Sequence, residues 1–288
     1  MRTYFECVGC LVKQAIEIAQ TNLKEDTREG FIREVLRQLS TFDYSNPPPI
    51  MALEMYGKIR QMAKINDPYA QIKRFYNNKA LSLYPELKNL VKSSDDPLDT
   101  AMRIAVAGNI IDFGSGNKKD IAVEEVIQNA LNAPFTIDDR GWLKETLKDA
   151  SSILYLGDNA GEIGFDKIFI EELDPSRVTF ATRDEPIIND ATIKDAEEVG
   201  LTDICRVISS GSKAPGTPLG ICTQEFRDLF YSSDLVISKG QGNFETLSAP
   251  PREVFFLLMI KCPVIAREIG APVGSFIAMK QGGFKTKE

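Results

Sequence analysis

Oxygen-bearing side chains directly follow the apolar segment at residues 153–156. Asp158 and Asn159 come first, and Glu162 follows them on a glycine-rich turn. Carboxylate and amide oxygens are the preferred ligands of hard cations such as Mg²⁺ and Mn²⁺. The chain contains no histidine, so a metal site would have to use oxygen ligands. The alternative is that Asp158 or Asn159 only caps the following helix, although a cap needs a single residue of this kind.

A second polar group follows the next apolar segment, at residues 178–181. Asn189 and Asp190 precede a helix predicted at 191–199, and either could cap it. Strand ends of a parallel sheet meet at one edge, however, so Asp190 could reach the same edge as Asp158. Two carboxylates, with water and substrate oxygens, would complete the octahedral shell of a magnesium ion.

Two later segments could bind a substrate. Ser210 lies in a hydroxyl-rich stretch that could line a pocket, and an ordinary surface loop is an equal alternative. Lys239 and Gly240 begin a glycine-rich turn before a predicted helix. A lysine beside several free N–H groups suits a phosphate. Gly240-x-Gly242 by itself is a weak dinucleotide motif, because the third glycine is missing.

The first half of the chain adds two further motifs. Asn109 and Asp112 share one face of a predicted helix, and Asp112 lies in the last turn, where the helix dipole disfavours an anion. They could bind substrate or form a satisfied buried pair. Cys7 and Cys10 form a C-x-x-C motif. Neither a second ligand pair nor a preceding strand supports a zinc or redox site, so we interpret both as half-buried structural residues.

These residues need a scaffold, and the two halves of the chain predict different ones. Residues 1–150 show helical periodicity, whereas short apolar segments alternate with helices in residues 151–288. We expect an α/β fold, with an all-helical N-terminal domain at 1–150. A Rossmann-like three-layer α/β/α domain with a mainly parallel sheet would occupy 151–288. The predicted strands lie at 153–156, 178–181, 207–208, 235–237, 255–259 and 264–266.

The composition limits the partners. The chain has 288 residues, 43% of them hydrophobic, and a net charge of −7, which argues against non-specific nucleic-acid binding. A bound cation would still allow anionic substrates. The longest apolar segment, at 254–260, is too short to cross a membrane, and residues 1–7 lack a signal-peptide pattern. Five cysteines without framework spacing favour reduced thiols. We therefore expect a cytoplasmic protein with neither nucleic-acid nor membrane partners.

Three ordered motifs, at residues 157–162, 183–191 and 239–245, resemble a known family. It comprises the metal-dependent damage-control phosphatases, formerly domain of unknown function number eighty-nine. The C-x-x-C motif and the Gly-Asn-x-x-Asp element at 108–112 look like its prokaryotic branch. The resemblance implies hydrolysis of small phosphometabolites such as sugar phosphates, with Mn²⁺, Mg²⁺, Ni²⁺ or Co²⁺ as cofactor. The implied metal ligands are Asp158, Asn159 and Asp190.

The same resemblance suggests further roles. Lys239 matches the phosphate-side lysine of the family, and Glu162 falls in a motif that lines its active site. We expect Asp158, Glu162 and Lys239 to act in catalysis, with either water or Asp158 as nucleophile and Glu162 or Asp112 as a possible acid. The residues expected to bind substrate are Asn109, Asp112, Lys239, Gly240 and Ser210. A carboxyl methyltransferase that uses S-adenosylmethionine and a non-catalytic phosphometabolite-binding protein are the alternatives.

Overall fold

The computed structural model describes residues 1–110 and 123–282. The helices in these ranges are α1 (Phe5–Asn22), α2 (Glu25–Thr41), α3 (Pro48–Ala63), α4 (Ala70–Ser93), α5 (Pro97–Ile110), α6 (Val123–Asn132), α7 (Arg140–Asp149), α8 (Glu162–Glu172), α9 (Ile193–Glu198), α10 (Gln224–Ser232), α11 (Gly240–Leu247) and α12 (Pro263–Ile269). The strands are β1 (Phe135–Asp138), β2 (Ile153–Leu156), β3 (Val178–Thr182), β4 (Arg206–Ser209), β5 (Leu235–Lys239), β6 (Val254–Met259) and β7 (Phe276–Gln281).

The described strands form one sheet in the order β1-β7-β6-β5-β2-β3-β4. Strands β6, β5, β2, β3 and β4 are parallel, whereas β7 runs antiparallel to β6 and pairs in parallel with β1. The central strand β2 is buried throughout, as its uninterrupted apolar sequence predicts. These findings confirm the predicted α/β fold with a mainly parallel sheet and a helical part.

The order of the strands places a crevice at one edge of the sheet. From β2 the chain continues to β3 and β4 on one side, and it then returns to β5 and β6 on the other. The strand order therefore reverses between β2 and β5, whose residues Leu156 and Ser238 are paired. Open α/β sheets bind ligands at the carboxyl ends of the strands beside such a reversal.

Some predicted elements were wrong. The strand expected at 264–266 is part of α12, because Pro263 opens a helical turn and Gly270 ends it in a left-handed conformation. Strands β1 and β7 were not predicted at all. The separate helices expected around 72–75 and 81–91 form the single helix α4, which contains Pro85. The predicted end of α5 near Gly114 lies outside the described residues.

The helical part contributes two different layers. Helices α1, α2 and α3 share a core of their own, which Ile187 also joins. Helices α4 and α5 pack instead with α8 in the core on one face of the sheet. Strand β1 pairs with β7, so the sheet begins before residue 150. The division of the chain into domains at 1–150 and 151–288 stays a prediction.

None of the helices in the described ranges is both long enough and apolar enough to cross a bilayer. All five cysteines, each of which lies within those ranges, are free thiols.

Candidate active site

The turns after β2 and β3 meet and bring the predicted metal ligands together. Asn159 and Asp190 form an isolated antiparallel bridge. The Ala191 N–H donates to the Asp158 carbonyl oxygen at 2.8 Å. Asp158, Asn159 and Asp190 all line one cavity of about 440 Å³. Side chains from two separate strand ends therefore face the same space.

The side-chain amide of Asn159 is oriented by two carboxylates. Its Nδ2 atom donates to Asp158 Oδ2 at 2.9 Å and to Glu162 Oε2 at 3.0 Å. Because the amide nitrogen is engaged by these acids, the Oδ1 oxygen lies on the opposite side of the group. An amide oxygen held in this way is a suitable ligand for a hard cation.

Asn109, on α5, supports the same pair of carboxylates. Its Nδ2 atom lies 3.3 Å from Asp158 Oδ2 and 3.2 Å from Glu162 Oε2. Its Oδ1 oxygen accepts a hydrogen bond from the Met259 N–H at 3.1 Å. The side chain is fully buried, so the structure places Asn109 behind the acids. The predicted substrate-binding residue Asp112 lies outside the described residues.

Lys239 is fully buried beneath this cluster. Its ammonium donates to Glu162 Oε1 at 2.8 Å, to the Ala105 carbonyl at 2.9 Å, and to Asp166. Burial alone would raise the pKa of Glu162, but Lys239, Lys261 and the hydrogen bond from Asn109 together hold that pKa below its usual value. Lys239 lies outside the cavity lining, and its predicted contact with phosphate stays a prediction.

A buried arginine holds the third predicted ligand. Arg183 Nε donates to Asp190 Oδ2 at 2.8 Å, and its Nη2 atom donates to Asn243 Oδ1 at 3.0 Å. Asn243 also bridges two turns, because its Nδ2 atom donates to the carbonyl oxygens of Gly157 and Lys239. Both residues lie in the motifs at 183–191 and 239–245, but neither was expected to have a role. An arginine at the end of an apolar strand was the available signal.

The carboxyl groups of this cluster are buried close together, so both burial and mutual repulsion disfavour their ionised forms. Burial raises the pKa of Asp158 well above its usual value, and the Glu162 and Asp190 carboxylates raise it further. Burial also raises the pKa of Asp190, despite the opposing effect of Arg183. A bound divalent cation would relieve this repulsion. Within the described ranges no three Cys, Asp or Glu side chains are grouped as ligands, and the amide oxygen of Asn159 is a candidate ligand beside the two carboxylates.

Gly240 allows α11 to begin against Asp158. Its φ is +77°, and a Cβ atom there would lie 1.8 Å from Asp158 Oδ2. No other residue type could occupy this position without moving the carboxylate. Ser210, by contrast, is buried away from the cavity lining, and its hydroxyl accepts a hydrogen bond from the Ser212 N–H at 3.3 Å.

Comparisons with known proteins identify the family. The model of the damage-control phosphatase ARMT1-like domain matches residues 3–277. The chain belongs to the damage-control phosphatase family. A damage-control phosphatase of Pyrococcus horikoshii is 33% identical over 286 residues, covering 97% of this chain and 98% of the relative. One of Archaeoglobus fulgidus is 31% identical over 281 residues, covering 94% and 96%. A solved DUF89 family structure from Pyrococcus horikoshii has a TM-score of 0.85 at 33% identity, with coverage of 97% and 99%.

Membership of the damage-control phosphatase family confirms the predicted resemblance. It supports a metal-dependent phosphatase, and it supports neither the methyltransferase nor the non-catalytic binding protein. The metal, the individual ligands and the catalytic residues stay predictions.

The cavity of this damage-control phosphatase also has walls that the sequence analysis missed. Lys261, in the turn after β6, lines the cavity. Its charge opposes the rise in the pKa of Asp158 and contributes to the lowered pKa of Glu162. Helices α1 and α3 form the opposite wall, with Cys10 and Tyr56 among the lining residues. Lys261 directly follows the longest apolar segment, at 254–260, and its position at the end of a predicted strand was a signal that was not used.

Proposed function

We propose that this phosphatase hydrolyses small phosphomonoesters in the cavity at the ends of β2 and β3, with Asp158, Asn159 and Asp190 holding the cation. The observation that carries this proposal is the convergence of these three side chains on one cavity. The fixed direction of the Asn159 amide supports it, because that amide turns an oxygen away from the acids.

All the proposed ligands are oxygen atoms, which favours Mg²⁺ or Mn²⁺, with Co²⁺ and Ni²⁺ as further candidates. When bound, such a cation would stabilise the charge that develops on the phosphoryl oxygens. Arg183 would keep Asp190 in place, because its guanidinium holds one carboxylate oxygen of Asp190 at 2.8 Å.

Glu162 fits a positioning role better than that of a proton donor. Its buried carboxyl contacts Lys239, which favours the ionised form, and it accepts hydrogen bonds from Asn109 and Asn159. An ionised carboxylate has no proton to give to a leaving group. Glu162 would therefore fix the directions of the two amides, and Lys239 would neutralise its charge.

Lys261 is the residue we propose for the substrate phosphate. It lines the cavity together with Asp158 and Asp190, whereas Lys239 lies outside the cavity lining. A cavity of about 440 Å³ is of the size that holds small metabolites, so a sugar phosphate is a suitable substrate. The free thiols support the cytoplasm as the proposed compartment.

A matrix of metals and substrates tests the proposal. Purified protein would be stripped with a chelator and assayed for phosphate release from a panel of sugar phosphates. The assays would contain Mn²⁺, Mg²⁺, Co²⁺ or Ni²⁺, or no metal. We expect metal-dependent turnover, and a loss of more than about 100-fold in Asp158→Ala and Asp190→Asn, because even residues behind a metal ligand can cost 10–100-fold.

Asp184→Asn is the matched control, since Asp184 lies in the same segment as Asp190 but accepts a hydrogen bond from the Ser209 hydroxyl at 2.9 Å. It should keep wild-type turnover. Full activity in Asp190→Asn, or full activity in the stripped enzyme without added metal, would contradict the proposed ligand set.

A further inference from the structure

Three of the five cysteines lie around the cavity. Cys7 and Cys10 line it from α1, and Cys262 lines it from the turn between β6 and α12. Cys10 is exposed, whereas Cys7 and Cys262 are half-buried. The C-x-x-C motif therefore does not stand alone, because the fold brings a third thiol to it across more than 250 residues of sequence.

Side-chain contacts also join α1 to α12, the two helices beside these thiols. Glu6 on α1 forms an ion pair with Arg267 on α12 at 2.7 Å. The Tyr4 hydroxyl, just before α1, donates to Glu268 on α12. Cys262 is the residue that immediately precedes α12. The first turn of α1 and the last turn of α12 are thus in contact, and Cys262 lies at the other end of this short helix.

The three thiols also affect one another's pKa values. Burial raises the pKa of Cys10, and the Cys262 thiol is the next contribution, ahead of Glu245. Burial also raises the pKa of Cys7, and there Cys262 contributes more than Cys10 does. The Cys262 thiol therefore interacts electrostatically with both α1 thiols, in agreement with the single cavity that all three line.

We propose that Cys10 and Cys262 form an oxidation site that joins α1 to α12 by a disulfide across the mouth of the cavity. The exposed Cys10 is the thiol that an oxidant in solution reaches first. Cys262 is the resolving thiol, held in the turn by the side chain of Gln241, whose Nε2 atom lies 3.7 Å from its sulfur.

Hydrogen peroxide is sufficient as the oxidant. The Cys10 sulfur, after losing its proton, attacks one peroxide oxygen and breaks the O–O bond, which gives a sulfenic acid and one water. The Cys262 sulfur then attacks the Cys10 sulfur and displaces hydroxide, which takes the Cys262 proton and leaves as a second water. Two S–H bonds are lost, one S–S bond forms, and one peroxide is reduced to two waters. Protonated thiols are weak nucleophiles, so the reaction is slow at neutral pH.

The disulfide would restrict the cavity. Cys262 directly follows Lys261, so the new bond would tie α1 beside the residue that we propose for the substrate phosphate. We expect the oxidised protein to lose turnover of sugar phosphates and to recover it after treatment with dithiothreitol. Mapping of the disulfide does not depend on activity, so it tests the site even if the proposed ligands or substrates are wrong.

The full chain would be incubated with hydrogen peroxide, its remaining thiols blocked with iodoacetamide, and its tryptic peptides analysed by mass spectrometry. We expect the peptide of residues 262–267 to be linked to the peptide of residues 3–13, while Cys205 and Cys222 are alkylated. Cys7 and Cys10 share the second peptide, so variants must assign the bond. Cys7→Ser should still form the link, and Cys10→Ser should not.

Cys205→Ser is the matched control, because Cys205 is a half-buried thiol whose sulfur bonds to the Leu201 carbonyl oxygen. It should form the link as the wild type does. Recovery of Cys262 as an alkylated thiol in the oxidised wild type overturns the proposal, and so does a link that persists in Cys10→Ser. The map of the wild-type protein does not depend on the folding of any variant. It shows Cys262 either linked or alkylated, so it supports or overturns the proposal in every case.

Discussion

The two walls of the cavity are built in different ways. The sheet edge, which comprises Asp158, Asn159 and Asp190, is held by hydrogen bonds from buried partners such as Arg183. The helical wall, which comprises the cavity-lining residues of α1 and α3, combines buried residues such as Tyr56 with exposed charged ones. The side chain of Lys13 in that wall is 75% exposed and lies 3.9 Å from Glu17.

This difference suggests a division of work between the walls. Side chains of the sheet edge cannot move without breaking several buried contacts, which suits atoms that must hold a cation in a fixed geometry. The exposed side chains of the helical wall can adjust, which suits contacts with the variable part of a substrate. Changes at the sheet edge should therefore abolish activity, and changes at the helical wall should alter it by degrees.

The largest effect is expected for Gly240→Ala. The new Cβ would lie 1.8 Å from Asp158 Oδ2, so the carboxylate must move, and a displacement of about 1 Å can cost roughly 100-fold in rate. We expect kcat to fall by about that factor. Phosphate release and Mn²⁺ binding by calorimetry would measure the change.

Gly270→Ala is its matched control. Gly270 has a similar φ of +79°, but among the described residues no atom lies within 4 Å of the added Cβ. It should lose only the backbone term of about 1–2 kcal/mol in the free energy of unfolding and keep its activity. Equal losses of kcat in both variants would show that the close approach to Asp158 is not what matters.

The next effect is expected for Glu162→Gln, which keeps the shape of the side chain but removes its charge. Lys239 then loses one of its two carboxylate partners, and both Asn109 and Asn159 lose a charged acceptor. We expect affinity for Mn²⁺ to fall by about 10–100-fold, as measured by calorimetry. Glu172→Gln, at the other end of α8, should bind as the wild type does. Unchanged metal affinity together with lost turnover would instead favour a direct catalytic role for Glu162.

The sheet edge could be predicted from the sequence because its signals are local. Each apolar strand ends in polar residues, and in a parallel sheet these ends meet, so the convergence of Asp158 with Asp190 followed from the order of elements alone. The central strands were predicted for a related reason. Their continuous apolar sequences are typical of strands buried on both faces.

The elements and roles that the sequence did not predict depend mainly on contacts between distant segments. Strand β1 has four residues with mixed exposure, and only its pairing with β7 makes it a strand. The segment at 264–266 is equally apolar in a strand or a helix, so its length could not decide between them. Lys239 was expected to face phosphate because it ends a strand. Its acidic partners Glu162 and Asp166 lie on α8, more than 70 residues earlier.

A smaller effect is expected for Lys261→Ala, which tests where the sheet edge ends and substrate binding begins. Hydrogen bonds to charged groups contribute about 1.5–3 kcal/mol, so KM for a sugar phosphate should rise by roughly tenfold or more. Affinity for Mn²⁺ should not fall, because the charge that is removed repels a cation. Lys13→Ala, in the helical wall, should raise KM less, because that side chain is mostly in water. A greater loss in Lys13→Ala would move the phosphate subsite to the helical wall.

The smallest effect concerns Glu245 on α11, a half-buried cavity residue that faces Cys7 and Cys10. Burial raises the pKa of Glu245 to about 7, against the opposing effects of Gln241 and the N-terminal amine. The folded state therefore holds this proton more tightly than the unfolded state. Stability is highest below the ordinary glutamate pKa and falls as the pH rises to about 7.

Glu245→Gln should remove this loss. We expect the free energy of unfolding of the variant to exceed that of the wild type by about 1–2 kcal/mol at pH 8, since water at a half-buried carboxyl weakens the full effect of the pKa shift. At pH 4 we expect little difference, because Glu245 is protonated in the folded wild type. Urea denaturation at both pH values would measure it. Glu225→Gln, whose side chain is 72% exposed, should give no such difference between the two pH values. If Glu245→Gln also showed no difference in stability between the two pH values, Glu245 would be as well solvated as Lys13. The cavity would then be solvated wherever it meets α1, and the contrast with the buried sheet edge would be greater.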